Sequence, residues 1–437
     1  MPSRRQAHFT LFLTPSGYHE SAWLVEDEDP RDAITIENLQ TATATAERGK
    51  LDAVFLPDWP LLVRFRAEYF PQVRYDPITL MAALGAGTDK IGMIASASTT
   101  YNEPFDLARR LATADLTTRG RAGWNVVTTY HAEASRNFGR NHPQHADRYA
   151  RAVEFVEVAQ RLWDGWDDDA IVGDRERGRW ADIDRIRPAR YSGEHVNVEG
   201  ALPVPRSPQG RPVLAQAGSS PAGIDLAARA AELVFTPQSS AENGRTFRTR
   251  LDAAARGYGR KVEDIRVLPG LAFVLGGTET EARRRRAELE AAVNPELRWK
   301  NLALNAGLDI TRIDPTRPLD PELAGTAEKT TFAQHIISTA LDSGLPFAEA
   351  AQQITGLPGG LEFTGTPEQL ARLIEEWVTS GACDGFTLQP TTIPTSLDAF
   401  VDDVIPLLQE RGLFRTDYAG TTLREHLALP SPSPRRQ

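Results

Sequence analysis

The residues best suited to chemistry in this chain are small and polar, and they recur at one kind of place. Asp58 follows an apolar run ending at Leu56. Ser96, Ser98, Thr99 and Thr100 follow one ending at Ala95, and Asn125 and Thr128 fall in or just after WNVV. A fourth instance is LAQAGSSPAGIDLAARAAEL (214–233), where an apolar run breaks at Gly218, passes Ser219-Ser220-Pro221 and becomes an Ala-rich helix. Pro221 suits the first helical position, where a missing N–H costs nothing, and Ser219 or Ser220 suits the cap. Free backbone N–H groups, two hydroxyls and the positive end of a helix together make an anion site suited to a phosphate. A plain helix cap without a ligand is the competing reading of this stretch taken alone. Hydroxyls and amides of this kind suit a polar heterocycle and a polyol chain. They suit metals poorly, since His and carboxylates are sparse among them.

Two further groups join this set. His145 and Tyr149 stand four apart in QHADRYARAVEFVEVAQRLWDGW (144–166), so a helix carries them on one face. A core role for Tyr149 and a solvated one for His145 is the plainer alternative. His19, in TPSGYHESAW, and His131 are candidates to donate or accept a proton, because imidazole titrates in the useful range. For His19 a loop residue that merely shapes a cavity is an equal alternative. Trp23, Phe55 and Trp59 are candidate pocket walls, although buried aromatics usually serve as core.

These side chains need elements to hold them. Strand patterns fall at His8–Leu13, Leu51–Leu56, Lys90–Ala95, Gly123–Val127, Pro212–Ala215, Glu232–Phe235, Leu271–Leu275 and Gly385–Leu388, with helical patterns between most of them. Alternation of this kind predicts a parallel sheet, and eight runs predict a closed (β/α)8 TIM barrel in one domain, an open doubly wound sheet being the alternative. In a barrel the polar groups named above share one rim, at the C-terminal ends of the strands. The stretches at about 167–211 and 294–360 exceed a barrel's needs and read as insertions, while the Pro/Ser-rich 430–437 reads as a disordered tail.

Composition sets the bounds. The chain has 437 residues, 49 basic against 59 acidic, for a formal charge of −10, which disfavours nucleic acid and anionic membrane as partners. A single cysteine, Cys383, excludes an internal disulfide framework and fits a reducing compartment. FTLFL (9–13) is too short to span a membrane, so a cytoplasmic location is expected. Neither G-x-G-x-x-G after a strand nor G-x-x-x-x-G-K-[ST] is present to mark a built-in nicotinamide or ATP site.

GRAGWNVVTT (120–129), HADRYARAVEFVEVAQRLWDGW (145–166), SPQGRPVLAQAGSSPAG (207–223) and GACDGF (381–386) resemble the bacterial-luciferase-like flavin monooxygenases of the nitrilotriacetate monooxygenase, pristinamycin synthase and dibenzothiophene-sulfone monooxygenase type. AERGKLDAVFLPD (46–58), STTYNEPFDLARR (98–110) and TLREHL (422–427) extend the resemblance over nearly the whole chain. It implies a luciferase-like barrel that is a homodimer or homotetramer. It also implies FMN as cofactor, taken as FMNH2 from a separate NAD(P)H:flavin reductase. With O2, one oxygen atom would pass to a small organic substrate through a flavin C4a-(hydro)peroxide. Carried over by motif, Asp58, Ser96 and Asn125 face the flavin ring, and His145, Tyr149, Ser219 and Ser220 hold the ribityl chain and phosphate. Three departures stand out: Ser96 where relatives often have Thr, Leu24 after Trp23 where they tend to have Arg, and Tyr130-His131 where smaller residues are usual. An F420-dependent oxidoreductase on the same barrel, a barrel hydrolase of a phosphorylated substrate and a non-catalytic flavin binder are the alternatives.

Overall fold

The computed structural model describes residues 6–325, 331–354 and 360–432. Its centre is a parallel sheet of strands β1 (His8–Phe12), β2 (Ala53–Leu56), β3 (Gly92–Ser98), β4 (Ala122–Val127), β5 (Val213–Ala217), β6 (Leu233–Thr236), β7 (Arg266–Leu275) and β8 (Gly385–Pro390). The order is β6-β5-β4-β3-β2-β1-β8-β7, and pairing of β6 with β7 closes the eight strands into the expected barrel. A ninth parallel strand, Leu361–Gly365, pairs with the far end of β7. It falls just past the stretch read as an insertion.

Two strands differ in extent from the sequence reading. β3 runs on through Ser98, so Ser96 lies within a strand rather than after one. β7 begins at Arg266 instead of Leu271, because Pro269 and Gly270 read as breakers yet sit inside it. Gly270 is required there, since a Cβ would meet Gln389 Oε1 at 2.8 Å and Phe235 at 3.2 Å. The sequence reading also missed the helix Pro77–Ala86, whose glycines and apolar run hide a helical period.

Alternation along each strand sorts the core into two layers. Outside the barrel, side chains such as Leu11, Val54, Trp124 and Leu214 pack against the surrounding helices. Inside, Ala53, Phe55, Ile94, Val213, Ala215, Leu233 and Leu268 form a separate cluster with Phe12 and Phe235. Leu423, Leu427 and Leu429 belong to this inner cluster and plug the end where the strands begin. Arg424, in the same short helix, is 1 % exposed and grips buried Glu232 through both guanidinium arms, at 2.5 and 3.1 Å. Pro430 and Pro432 give their carbonyls to Arg424 and Arg206. The segment expected to be loose is thus held at its start, and 433–437 lie outside the described residues.

Residues 167–211 carry two antiparallel hairpins, Ile171–Asp174 with Arg179–Ala181 and Ala189–Ser192 with Asn197–Gly200. Residues 294–354 carry the helices Pro295–Asn305, Pro321–Ala324, Thr331–Ser343 and Phe347–Gln353, with a core of their own that includes Trp299, Leu302, Ile336 and Phe347. Among the described residues no helix is long and apolar enough to cross a membrane.

Removing one partner of a buried ion pair strands the other charge. Arg424→Ala should therefore cost about 3–5 kcal/mol in urea unfolding. Arg424→Met combined with Glu232→Leu should cost clearly less, because no charge is left buried.

Candidate active site

All eight strands run the same way, so their C-terminal ends meet at one rim. There β3 and β4 pair Ser96 with Asn125, and the Asn125 amide donates from Nδ2 to Ser96 Oγ at 2.8 Å. Alternation turns both side chains inward, one step beyond Ile94 and Gly123. Asn125 Oδ1 is buried and has no hydrogen-bond partner. The bond to Ser96 fixes the amide orientation, so a bare acceptor is held at the mouth of the barrel.

The neighbouring hydroxyls serve the loops instead. Ser98 Oγ accepts from the Thr100 N–H and the Thr129 hydroxyl, and the Thr99 and Thr100 hydroxyls donate to the carbonyls of Val127 and Thr128. These bonds tie the β3 and β4 exits together, with Thr129 held at a φ of 47°.

After β5, Ser220 caps the helix Pro221–Ala230, its Oγ accepting from the Gly223 N–H at 3.1 Å, with Pro221 in the first position. The Ser220 hydroxyl keeps its proton to donate, and Ser219 is exposed beside it. His145 opens the helix His145–Trp163 and is exposed, its ring 4.8 Å from half-buried Tyr149. The two helices pack together, so in a barrel their first turns lie side by side at the rim. Among the described residues no hydrogen bond joins Ser219 or Ser220 to Asn125, Asp58 or His145.

The two candidate histidines differ. His19 is buried, with Nδ1 2.9 Å from Ser21 Oγ and Nε2 3.5 Å from Glu290, so both ring nitrogens face protein partners. Burial by itself would raise the Glu290 carboxyl, but the hydrogen bonds from His19 and Arg298 and the charge of Arg286 hold it at about 2. His131 stacks on Trp59 at 4.4 Å and its Nε2 is buried without a partner. Burial, aided by the Arg66 charge, lowers His131 to about 4, so the ring is neutral at pH 7. Asp58 sits beside this stack, and burial, with the Asp76 charge adding to it, pushes its carboxyl up to about 6.

A model of the luciferase-like monooxygenases matches residues 7–383. The chain belongs to that family. Across 434 residues this monooxygenase is 39 % identical to the N-acetyl-S-(2-succino)cysteine monooxygenase of Bacillus subtilis (strain 168), covering 98 % of each chain. Against nitrilotriacetate monooxygenase component A of Aminobacter aminovorans the identity is 38 %, over 99 % of this chain and 98 % of that one. Among solved structures, a riboflavin lyase holding a modified FMN and riboflavin superposes with a TM-score of 0.85 at 31 % identity, covering 99 % of this chain and all of the other.

The monooxygenase fold brings to the same rim several residues that sequence reasoning missed. Arg66 lies over the rings of Trp59 and Phe70, at 5.1 and 5.6 Å. Tyr18, packed edge-on against Phe12, faces Gln389, and Glu20 accepts from Asn301 of the 294–354 segment. Burial raises the Glu20 carboxyl, against the pull of the Arg66 charge. Nothing in RFRAEYF (64–70) singles Arg66 out in sequence, and only the tertiary structure sets its guanidinium against Trp59 and Phe70. A cavity of about 960 Å3 lies at the opposite end of the barrel. Several of its charged groups pair with one another, as Arg248 does with Asp252 and Asp384.

Asp58 and His131 impose opposite pH dependences on stability. Asp58 binds its proton more tightly folded than unfolded, so its contribution falls as pH rises from about 4 to 6. Neutral His131 favours the fold at pH 7, and that is lost as pH drops from about 6.5 through 4. Urea midpoints at pH 4.5 and 7 should show Asp58→Asn gaining on the wild type toward pH 7, and His131→Gln losing less than the wild type toward pH 4.5.

Proposed function

We propose that the chain is the oxygenase component of a two-component system. It takes FMNH2 from a separate NAD(P)H:flavin reductase and inserts one atom of O2 into a small organic substrate. The observation that carries this reading is Asn125, a buried amide whose orientation is set by Ser96 and whose carbonyl has nothing among the described residues to accept from. A flavin ring edge has an N–H of the kind such a carbonyl takes. At the other end, a capped helix N-terminus with a spare hydroxyl proton on Ser220 and exposed Ser219 suits a phosphate. His145 and Tyr149, on the adjoining first turn, suit the polyol between. The residues present therefore fit FMN.

When bound, the reduced flavin supplies the electrons that activate O2. The protein's own tasks are to bind, orient, exclude water and manage protons. Asn125 and Ser96 would fix the ring, and Ser219 and Ser220 the phosphate. His131 is assigned the proton-holding role at Nε2, because it is neutral with that atom unpartnered, whereas both nitrogens of His19 are engaged. His19 instead anchors the wall through Glu290. Asp58, half ionised near pH 6, is a second group able to hold a proton beside the ring.

The relative named component A supports a partner that delivers reduced flavin, and the lyase with its modified FMN supports this flavin over F420. A homodimer or homotetramer in the cytoplasm completes the proposal. A hydrolase or a non-catalytic binder lacks comparable support.

Anaerobically reduced FMN mixed with the protein and then oxygen should bind and reoxidise at an altered rate; unchanged free-flavin behaviour refutes the proposal. Replacing Ser219 and Ser220 together with Ala should weaken FMN by roughly 3–6 kcal/mol while barely changing riboflavin, which lacks the phosphate. Equal weakening of both ligands would remove the phosphate assignment.

A further inference from the structure

Arg66 lacks what a half-buried guanidinium ordinarily has. Among the described residues it makes no ion pair within 4.0 Å and no hydrogen bond, and its Nε is fully buried without a partner. Burial holds its pKa below the usual arginine range, against the favourable charge of Glu20. Glu20 does not neutralise it at contact distance, and its carboxylate is engaged by Asn301. Arg74, in the same β2 exit segment, adds a second cation without a carboxylate partner, its pKa lowered to about 10 by burial and then by the Arg66 charge.

The aromatic groups around Arg66 stabilise the cation but leave its N–H groups bare. Trp59 lies under the guanidinium, and the same indole stacks on His131. Its Nε1–H is also buried and unpartnered, as is His131 Nε2. Three buried nitrogens without partners thus belong to one stack, and the arginine and indole nitrogens can only donate. Buried donors are left unmade only where something else completes them, since each costs free energy comparable to a lost hydrogen bond. What completes two buried donors in one stack, one of them on a planar cation, is an anion with paired oxygens.

We infer that Arg66 and the Trp59 indole N–H receive a carboxylate of the substrate, so that the molecule oxygenated here is an organic acid. The arginine fork matches a carboxylate bidentately, and the desolvated stack rewards a full negative charge over a neutral carbonyl. The inference rests on the monooxygenase reading above, since it names that site's substrate class. A competing occupant for the same donors is a carbonyl of the flavin ring.

The test uses the full-length protein, with and without oxidised FMN, and calorimetric titration with acetate, succinate, thiodiacetate and tricarballylate, each against its methyl ester. At least one acid should bind tenfold or more tighter than its ester. Arg66→Met should abolish that preference, Arg66→Lys should keep part of it, and both should leave FMN affinity within about twofold. Failure of every acid to outbind its ester, on the wild-type protein and so independent of any variant's folding, overturns the inference. An Arg66→Met variant that loses FMN and keeps acid preference also overturns it, and assigns the donors to the flavin. If FMN fails to bind the wild type while the acid preference holds, the flavin reading falls and the anion site stands.

Discussion

Closure of the barrel between β6 and β7 is the constraint on which the site depends. Once eight parallel strands close, every second side chain is forced into a shared interior that must be filled layer by layer. Here Phe12, Phe55 and Phe235 meet with ring centroids 5.9–6.2 Å apart and fill the barrel just below its mouth. The plug of Leu423, Leu427 and Leu429 seals the other end. The next inward positions, Ser96, Asn125, Gly270 and Gln389, are small or polar because they form a floor rather than a filling. Gly270 shows how tight that floor is, since even one methyl there meets both Gln389 and Phe235.

The strands and the helices that shape this floor were legible in the sequence, because short β-branched runs between polar helices have few other solutions. What failed locally has local reasons. Pro269-Gly270 tolerates strand geometry in β7, which the breaker rule hides, and Pro77–Ala86 is too evenly apolar to show a helical stripe. The polar rim was legible as a set of residues but not as a division of labour. Ser96 and Ser98 are two apart on one strand, yet Ser96 orients Asn125 while Ser98 is consumed in tying loops. Nothing in residue type separates them; only their partners do. The Arg run 283–286 divides in the same way. Arg283, Arg284 and Arg285 pair with Glu one turn away, whereas Arg286 also reaches Glu362 and, through Glu290, supports His19.

The 294–354 segment illustrates why insertions resist sequence reading. It has its own core, so its hydrophobic pattern reports on itself and not on the barrel. Yet Arg298 pairs with Glu290, and Asn301 donates to Glu20, so two of its polar residues brace the wall opposite Asn125. On the proposed function, variation in such a segment would reshape the wall around Glu20 and Glu290 while leaving the residues proposed to hold the flavin on β3, β4 and β5 untouched.

The electrostatics of the wall follow from excluding water. In a low-dielectric pocket an isolated charge is costly, and three titratable groups there shift toward their neutral forms: Asp58 upward to about 6, His131 downward to about 4, Glu20 upward, whereas Glu290, held among His19, Arg298 and Arg286, shifts the other way. Arginine cannot follow them, because its proton affinity is too high for burial to overcome. Arg66 therefore remains a cation beside Asp58, His131 and Glu20, stabilised by ring faces that offer it no hydrogen bond. A lysine in that position could shed its proton and a methionine would pack at lower cost. A guanidinium that has no carboxylate at contact distance among the described residues favours an anion against the wall it lines.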